Sequence, residues 1–91
     1  METLIARHVV VSGRVQGVGF RYLLEREAAA VGVAGWVRNT AEGTVEAVVE
    51  GPPSGVEEVL GWMRRGPRGA AVASVDVTAT TPQGHAGFTI R

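Results

Sequence analysis

Alternating apolar and polar residues predict four β-strands in this chain. The strands are predicted at residues 5–14, 33–40, 44–51 and 72–80. The alternation is clearest in the last of them, where Val75, Val77 and Ala79 are expected to face the core. Only the turn Ala41-Glu42-Gly43 separates the second strand from the third, so these two form a predicted hairpin. Residues 88–90 are a candidate for a short fifth strand.

Apolar residues spaced three and four apart predict two helices. The first is predicted at residues 20–31, with Gly32 as its C-terminal cap and with a buried face of Phe20, Leu23, Leu24, Ala28 and Val31. The second follows Pro52-Pro53, where Ser54 and Glu57 match a capping box. Its buried stripe is Val56, Val59, Leu60 and Met63, and Gly66-Pro67 ends it.

The order of these elements is strand, helix, strand, strand, helix, strand. This βαββαβ order is typical of the α+β ferredoxin-like fold, a two-layer sandwich. Its four-stranded antiparallel sheet is covered on one face by both helices. Right-handed crossovers place the first and third strands at the centre of the sheet. We expect residues 1–91 to form a single domain.

The composition excludes several classes of function. Nine acidic and nine basic residues give the 91-residue chain a formal net charge of zero, which argues against a nucleic-acid binder. The absence of cysteine excludes disulfides and thiolate metal sites and fits a reducing cytoplasm. The absence of lysine excludes Schiff-base chemistry. Neither a signal-peptide pattern nor an apolar run of membrane-spanning length is present, so we expect a cytoplasmic protein without membrane association. We expect a monomer.

The main candidate site is a glycine-rich segment between the first strand and the first helix. It reads Gly13-Arg14-Val15-Gln16-Gly17-Val18-Gly19-Phe20-Arg21. Glycines let the backbone approach a ligand, and a helix start offers unpaired N–H groups and a partial positive charge. An arginine in the first turn opposes the helix dipole, but it suits a site that a phosphate completes. The alternative is an ordinary turn with a solvated arginine.

The segment Arg38-Asn39-Thr40 ends the second predicted strand. In the predicted topology it reaches the same region of the sheet as the glycine-rich segment. Asn39 has two interpretations from its position alone. It either bonds its own backbone before the hairpin turn, which is the commoner cause, or contributes to the site.

Other candidate chemistry is weaker. His8 lies within a strand and His85 in a glycine-rich turn, and no cluster has metal-ligand spacing, so we predict no metal. Tyr22 stands where a dinucleotide fingerprint needs its third glycine. We interpret Trp36 and Trp62 as packing residues and not as a platform for stacking RNA bases.

Both segments resemble the signatures of the acylphosphatase family. The first signature resembles residues 13–21 at every position, and the second resembles Gly35-Trp36-Val37-Arg38-Asn39-Thr40 followed by Gly43-Thr44-Val45-Glu46. The resemblance extends over residues 5–91. It implies the same two-layer fold and the hydrolysis of acyl phosphates to a carboxylate and inorganic phosphate, with no cofactor.

The resemblance also implies the roles of individual residues. Arg21 would hold the phosphoryl group, and Asn39 would position the attacking water. The phosphoryl oxygens would bind backbone N–H groups of Val15, Gln16, Gly17, Val18, Gly19 and Phe20. Two alternatives stay open: a noncatalytic anion-binding or accessory module, and a carbamoyl phosphate-hydrolysing domain of a larger maturation protein. The length of 91 residues favours a free enzyme.

Overall fold

Five strands and two helices are present in a computed structural model, which describes residues 3–91. The strands are β1 (Ile5–Arg14), β2 (Ala34–Asn39), β3 (Val45–Gly51), β4 (Ala71–Thr80) and β5 (Phe88–Ile90). The helices are α1 (Phe20–Ala30) and α2 (Pro53–Arg65). Each predicted element is confirmed, with its bounds shifted by no more than about one residue.

The strands form one sheet in the order β4-β1-β3-β2-β5, so β1 and β3 are central as predicted. The four longer strands pair antiparallel, whereas β5 pairs parallel to β2. The fifth strand is confirmed, but it makes the sheet mixed and not purely antiparallel. After β4 the chain crosses to the opposite edge of the sheet, and there it runs alongside β2 in the same direction. This pairing sets Ile90 beside Val37.

The core lies between one face of the sheet and the two helices. Burial of a valine or leucine side chain contributes about 1.5–3 kcal/mol, which offsets the entropy cost of ordering the chain. The sheet contributes Val9, Val11, Val37, Val45, Ala47 and Val49, and the helices contribute Phe20, Leu24, Ala28, Val56, Val59, Leu60 and Met63. Leu23, which was also predicted to be buried, is 38% exposed. The buried stripe of α1 is narrower than predicted, because Phe20, Leu24 and Ala28 recur every fourth residue.

The predicted inward direction of β4 is confirmed, because Val75 and Val77 pair with the core residues Val11 and Val9, but its inward-facing side chains are not fully buried. Val75 is only half-buried, Val77 is 36% exposed, and Ala79 is exposed. Because β4 is an edge strand, it has a paired neighbour on one side only. Alternation predicts which face of a strand turns inwards, but it does not reveal whether anything packs on that face.

The predicted capping box at the start of α2 is also wrong. The N-cap residue is Pro52, no side chain caps the helix, and Pro53 occupies the first helical position. Proline suits that position because its fixed φ is already helical and its missing N–H would be unpaired there anyway. Ser54 therefore lies inside the first turn. The predicted end of the helix is confirmed, with Gly66 as its C-cap.

A buried carboxylate attaches the β4–β5 connection to the sheet. Glu50 is only 3% exposed and accepts hydrogen bonds from the backbone N–H groups of Gln83 (2.7 Å), Gly84 (2.8 Å) and His85 (3.1 Å). Burial alone would raise the pKa of Glu50, but the three N–H donors lower it, so the pKa lies below its ordinary value. The connection therefore crosses the face of the sheet opposite the helices.

Substituting Glu50→Gln is expected to lower the free energy of unfolding by about 1–3 kcal/mol, because three backbone N–H donors lose their ionised acceptor. The lowered pKa means that this stabilisation is complete above the unfolded-state pKa, about 4.3, and is lost as the pH falls through the folded-state value. Urea unfolding between about pH 7 and pH 3 should therefore depend less on pH in the variant than in the wild type.

The matched control is Glu58→Gln, because Glu58 is an exposed glutamate of α2. This control should follow the wild-type stability at each pH. If Glu50→Gln also follows the wild-type curve, Glu50 does not anchor the connection.

Candidate active site

A small cavity lies where β1 ends, α1 begins and β2 ends. Its volume is about 190 Å³, and its walls are formed by Val15, Gly17, Gly19, Phe20, Arg21, Tyr22, Asn39 and Ile90. Pockets for drug-sized ligands measure about 300–1,000 Å³, so this cavity suits a smaller group. Two segments that are distant in the sequence, the glycine-rich loop and the end of β2, thus meet at one place.

The glycine-rich loop delivers backbone N–H groups to the cavity. Gly17 and Gly19 have φ values of +74° and +82°, in the left-handed region that costs other residues about 1–2 kcal/mol. No atom lies within 4 Å of the place where a Cβ would stand on Gly17, so its backbone conformation, and not lack of space, requires glycine. Gly19 is the N-cap of α1, no side chain caps this helix, and no acidic residue lies in its first turn. The first N–H groups of α1 are therefore free of side-chain partners and suited to an anion.

Arg21 adds a full positive charge at the same place. It is half-buried, lies in the first turn of α1 and lines the cavity. Within residues 3–91, both ion pairs are made by Glu46, so no carboxylate neutralises Arg21. The guanidinium group and the positive end of the helix dipole repel one another, and a bound anion relieves that repulsion.

Asn39 contributes an oxygen that has no partner in the protein. It pairs with Val45, whose side chain is fully buried beneath the helices, so Asn39 lies on the same face of the sheet. Its Oδ1 atom is buried and accepts no hydrogen bond from the described residues. Leaving such an atom unsatisfied costs about 1–3 kcal/mol. This geometry does not match the turn interpretation, and it leaves Oδ1 available to a molecule in the cavity.

Thr40 and Thr44 close the hairpin instead. The N–H group of Thr40 donates to the carbonyl oxygen of Thr44 at 2.9 Å, and the two hydroxyl oxygens lie 2.6 Å apart. Gln16 extends this closure to the glycine-rich loop, because its Nε2 atom donates to the carbonyl oxygens of Thr40 at 2.9 Å and Thr44 at 3.0 Å. The loop and Asn39 are therefore held in a fixed relation.

Six of the eight site residues predicted from the sequence line the cavity, namely Val15, Gly17, Gly19, Phe20, Arg21 and Asn39. The other two, Gln16 and Val18, do not. The side chain of Gln16 donates hydrogen bonds to the hairpin, a role not predicted from the sequence, and Val18 packs against the core. Binding through the backbone N–H groups of these two residues stays a prediction.

Tyr22 and Ile90 also line the cavity, although the sequence did not predict either as a site residue. Tyr22 is 55% exposed, and its hydroxyl group accepts a hydrogen bond from Nη1 of Arg26 at 3.3 Å. Ile90 is 39% exposed and belongs to β5. The sequence offered one indication that Tyr22 belongs to the cavity, namely its position directly after Arg21. No sequence signal exists for Ile90, because its location follows from the parallel pairing of β5 with β2.

A separate polar cluster lies on the opposite face of the sheet. Nε2 of His8 lies 2.7 Å from Oε2 of Glu46, and Arg38 donates to the other oxygen of this carboxylate. The hydrogen bond with His8, followed by the hydrogen bond and the charge of Arg38, holds the pKa of Glu46 below its ordinary value although partial burial opposes the shift. The prediction that His8 is a sheet-face residue is confirmed. These three residues do not line the cavity, and their contacts link the neighbouring strands β1, β3 and β2.

The two tryptophans differ in their surroundings. Trp62 packs edge-on against Phe20, with ring centroids 5.2 Å apart, which confirms it as a packing residue. Trp36 is half-buried on the open face, and the guanidinium carbon of Arg91 lies 4.4 Å from its ring centroid. Across residues 3–91 no three His, Cys, Asp or Glu side chains are grouped to hold a metal ion. Neither helix has the length and apolarity needed to cross a membrane in this part of the chain.

Comparison with known proteins identifies one family. The family model of acylphosphatase matches residues 7–90. The curated acylphosphatase of Thermococcus kodakarensis is 50% identical over 86 residues, which is 94% of each chain. The crystal structure of acylphosphatase from Bacillus subtilis has a TM-score of 0.92 at 37% identity, and the match covers 98% of this chain and 99% of that one. HypF of T. kodakarensis has a TM-score of 0.84 at 30% identity, over 96% of this chain but only 12% of its own length.

Proposed function

The chain belongs to the acylphosphatase family, and we propose that it hydrolyses acyl phosphates with the loop of residues 15–20, Arg21 and Asn39. The family acts on small acyl phosphates, which are cleaved to a carboxylate and inorganic phosphate. The observation that carries the residue assignment is the juxtaposition of three features in one cavity. These are the uncapped start of α1, the unpaired charge of Arg21 and the buried Oδ1 atom of Asn39.

The phosphoryl group binds at the start of α1. Its oxygens accept hydrogen bonds from loop N–H groups, and the guanidinium group of Arg21 binds two of them in a fork. Phosphoryl transfer requires chiefly positioning and the stabilisation of charge, and these groups supply both. Donors of this kind are preorganised, so they need no rearrangement when charge develops during the reaction.

Asn39 orients the water that attacks phosphorus. Its Oδ1 atom accepts a hydrogen bond from the water, which turns an oxygen lone pair towards the phosphorus atom. The bond from water oxygen to phosphorus forms while the bond from phosphorus to the acyl oxygen breaks. The acyl oxygen leaves with the electron pair as a carboxylate, which is stable without a proton and needs no general acid. Asn39 cannot accept a proton, so the proton of the water passes to a phosphoryl oxygen of the substrate.

This mechanism predicts a flat pH profile. For benzoyl phosphate, kcat/KM is expected to vary by less than about twofold between about pH 6 and pH 8, because no residue acts as general acid or base. Steady-state hydrolysis by the wild type, with inorganic phosphate as inhibitor, is the measurement. His8→Gln and His85→Gln should retain activity. A bell-shaped profile that depends on either histidine would contradict the mechanism, and phosphate binding without turnover would favour a noncatalytic module.

Carbamoyl phosphate is a second candidate substrate, which follows from the resemblance of the sequence to domains of larger maturation proteins. The match to HypF shows that this fold also occurs as a small part of a longer chain. Carbamoyl phosphate should therefore be assayed beside benzoyl phosphate. A kcat/KM that is higher for carbamoyl phosphate would support this candidate.

We also propose that the chain acts as a cytoplasmic monomer, with residues 1–91 as one domain and no nucleic-acid partner. One sheet covered by both helices supports a single domain. The absence of cysteine fits a reducing compartment, and the net charge of zero argues against binding through the phosphate backbone of nucleic acids. Size-exclusion chromatography with light scattering measures the oligomeric state.

A further inference from the structure

Two exposed apolar side chains stand at the mouth of the cavity. Within residues 3–91, the large hydrophobic residues that are exposed by more than a third are Leu4, Tyr22, Leu23, Val77 and Ile90. Tyr22 and Ile90 both line the cavity, although it is small. Exposed apolar area costs about 25 cal/mol per Å², and its concentration at a cleft is typical of a ligand site.

Tyr22 and Ile90 reach the mouth from two different elements. Tyr22 follows Arg21 in the first turn of α1, so its ring stands beside the proposed phosphoryl site. Ile90 pairs with Val37 and therefore shares the face of the sheet on which Asn39 lies. Helix α1 packs against β5, which brings the two apolar side chains to the same opening.

The side chain of Arg26 contacts the ring of Tyr22 and restricts its position. Nη1 of Arg26, one turn further along α1, donates to its hydroxyl oxygen at 3.3 Å, and the guanidinium carbon lies 5.8 Å from the ring centroid. A positively charged group near an aromatic ring attracts it by about 0.5–1 kcal/mol at an exposed site. The ring thus presents a defined apolar surface to the cavity.

We propose that Tyr22 and Ile90 form the binding site for the acyl group, so that apolar and aromatic acyl phosphates are preferred over acetyl phosphate. The proposal rests on the proposed function. With the phosphoryl group bound at the loop and at Arg21, the acyl group extends to the mouth of the cavity, where it contacts the two side chains. Of the residues that line the cavity, Arg21 alone is charged, which leaves no partner for a charged acyl group.

The test compares benzoyl phosphate with acetyl phosphate in Tyr22→Ala and Ile90→Ala. In each variant kcat/KM for benzoyl phosphate is expected to fall about five- to tenfold, because an apolar contact with the acyl group is lost. For acetyl phosphate it should fall by less than about twofold, since the methyl group is too short to make the contact. Inhibition by inorganic phosphate, which has no acyl group, should not change. Tyr22→Phe keeps the ring and is expected to keep the substrate preference.

Leu4→Ala is the matched control, because Leu4 is 51% exposed and precedes β1 at the end far from the loop. This variant should keep the wild-type kcat/KM for both substrates. An unchanged ratio of the two kcat/KM values in both alanine variants would overturn the acyl site while leaving the proposed function intact. If that unchanged ratio comes with an equal loss for the two substrates, the two residues belong to the phosphoryl site instead. A wild type that hydrolyses neither substrate would overturn the proposed function itself.

Discussion

Replacing Arg21 with methionine is expected to lower kcat/KM for benzoyl phosphate by a factor of about 10³ or more. Methionine keeps part of the aliphatic stem but removes the charge and the two-pronged donor. Inhibition by inorganic phosphate should weaken in the same variant, because the product binds the same groups as the phosphoryl group of the substrate. One set of steady-state measurements gives both kcat/KM for benzoyl phosphate and the inhibition constant of inorganic phosphate.

Arg64→Met is the control for this experiment, since Arg64 is an exposed arginine in the last turn of α2. Its activity should remain close to that of the wild type. Arg21→Lys keeps the charge without the fork, so its activity should lie between those of the wild type and Arg21→Met. If Arg21→Met retains activity within about tenfold of the wild type, the phosphoryl group is held by the backbone alone.

The second large effect is expected for Asn39→Ala. Its kcat should fall about a hundredfold or more, because the attacking water loses the acceptor that orients it. Inhibition by inorganic phosphate should stay at the wild-type level, since Arg21 and the loop N–H groups are unchanged. The fold should also survive the change, because Oδ1 makes no hydrogen bond within residues 3–91. Arg21→Met differs from this variant, because it is expected to weaken both turnover and inhibition by inorganic phosphate.

Gln83→Ala provides a matched removal of an amide outside the cavity. The side chain of Gln83 is exposed and donates only locally, to the carbonyl oxygen of Thr81 at 3.2 Å. Equal activity of Asn39→Ala and the wild type would remove Asn39 from the mechanism. A parallel loss of turnover and of phosphate inhibition would mean that Asn39 holds the phosphoryl group.

The core of the fold could be predicted from local sequence patterns, while burial at its margins could not. The alternation in residues 5–14 gave the bounds of β1, and the order of elements placed β1 and β3 at the centre. Val77 lies on the core side of the sheet as predicted, but its partial exposure was not predicted, because alternation does not show how closely other elements pack on the edge strand β4. Glu50 lies on the face of the sheet opposite the helices. A segment more than 30 residues later in the chain covers it there, which no local pattern indicates.

Some residues of the candidate site could likewise be predicted from the sequence, while others could not. Arg21 and Asn39 stand in two recognisable segments, and the topology alone predicted that these segments approach one another. The role of the Gln16 side chain was hidden, because a glutamine in a glycine-rich loop gives no sign of the carbonyl groups it will bond. Ile90 was hidden for a different reason. Its place at the mouth depends on a three-residue strand whose partner and direction follow from the complete fold.

The closure of the hairpin by Thr40 and Thr44 separates its tip from the cavity. Residues 41–43 are exposed and lie beyond the bonds that hold Asn39 in place. Added length in a surface turn costs little, since loop entropy rises only with the logarithm of length. The tip is therefore suited to the insertion of an epitope or a fluorescent reporter. Such a graft would label the chain close to Asn39 while the atoms that the mechanism uses keep their positions.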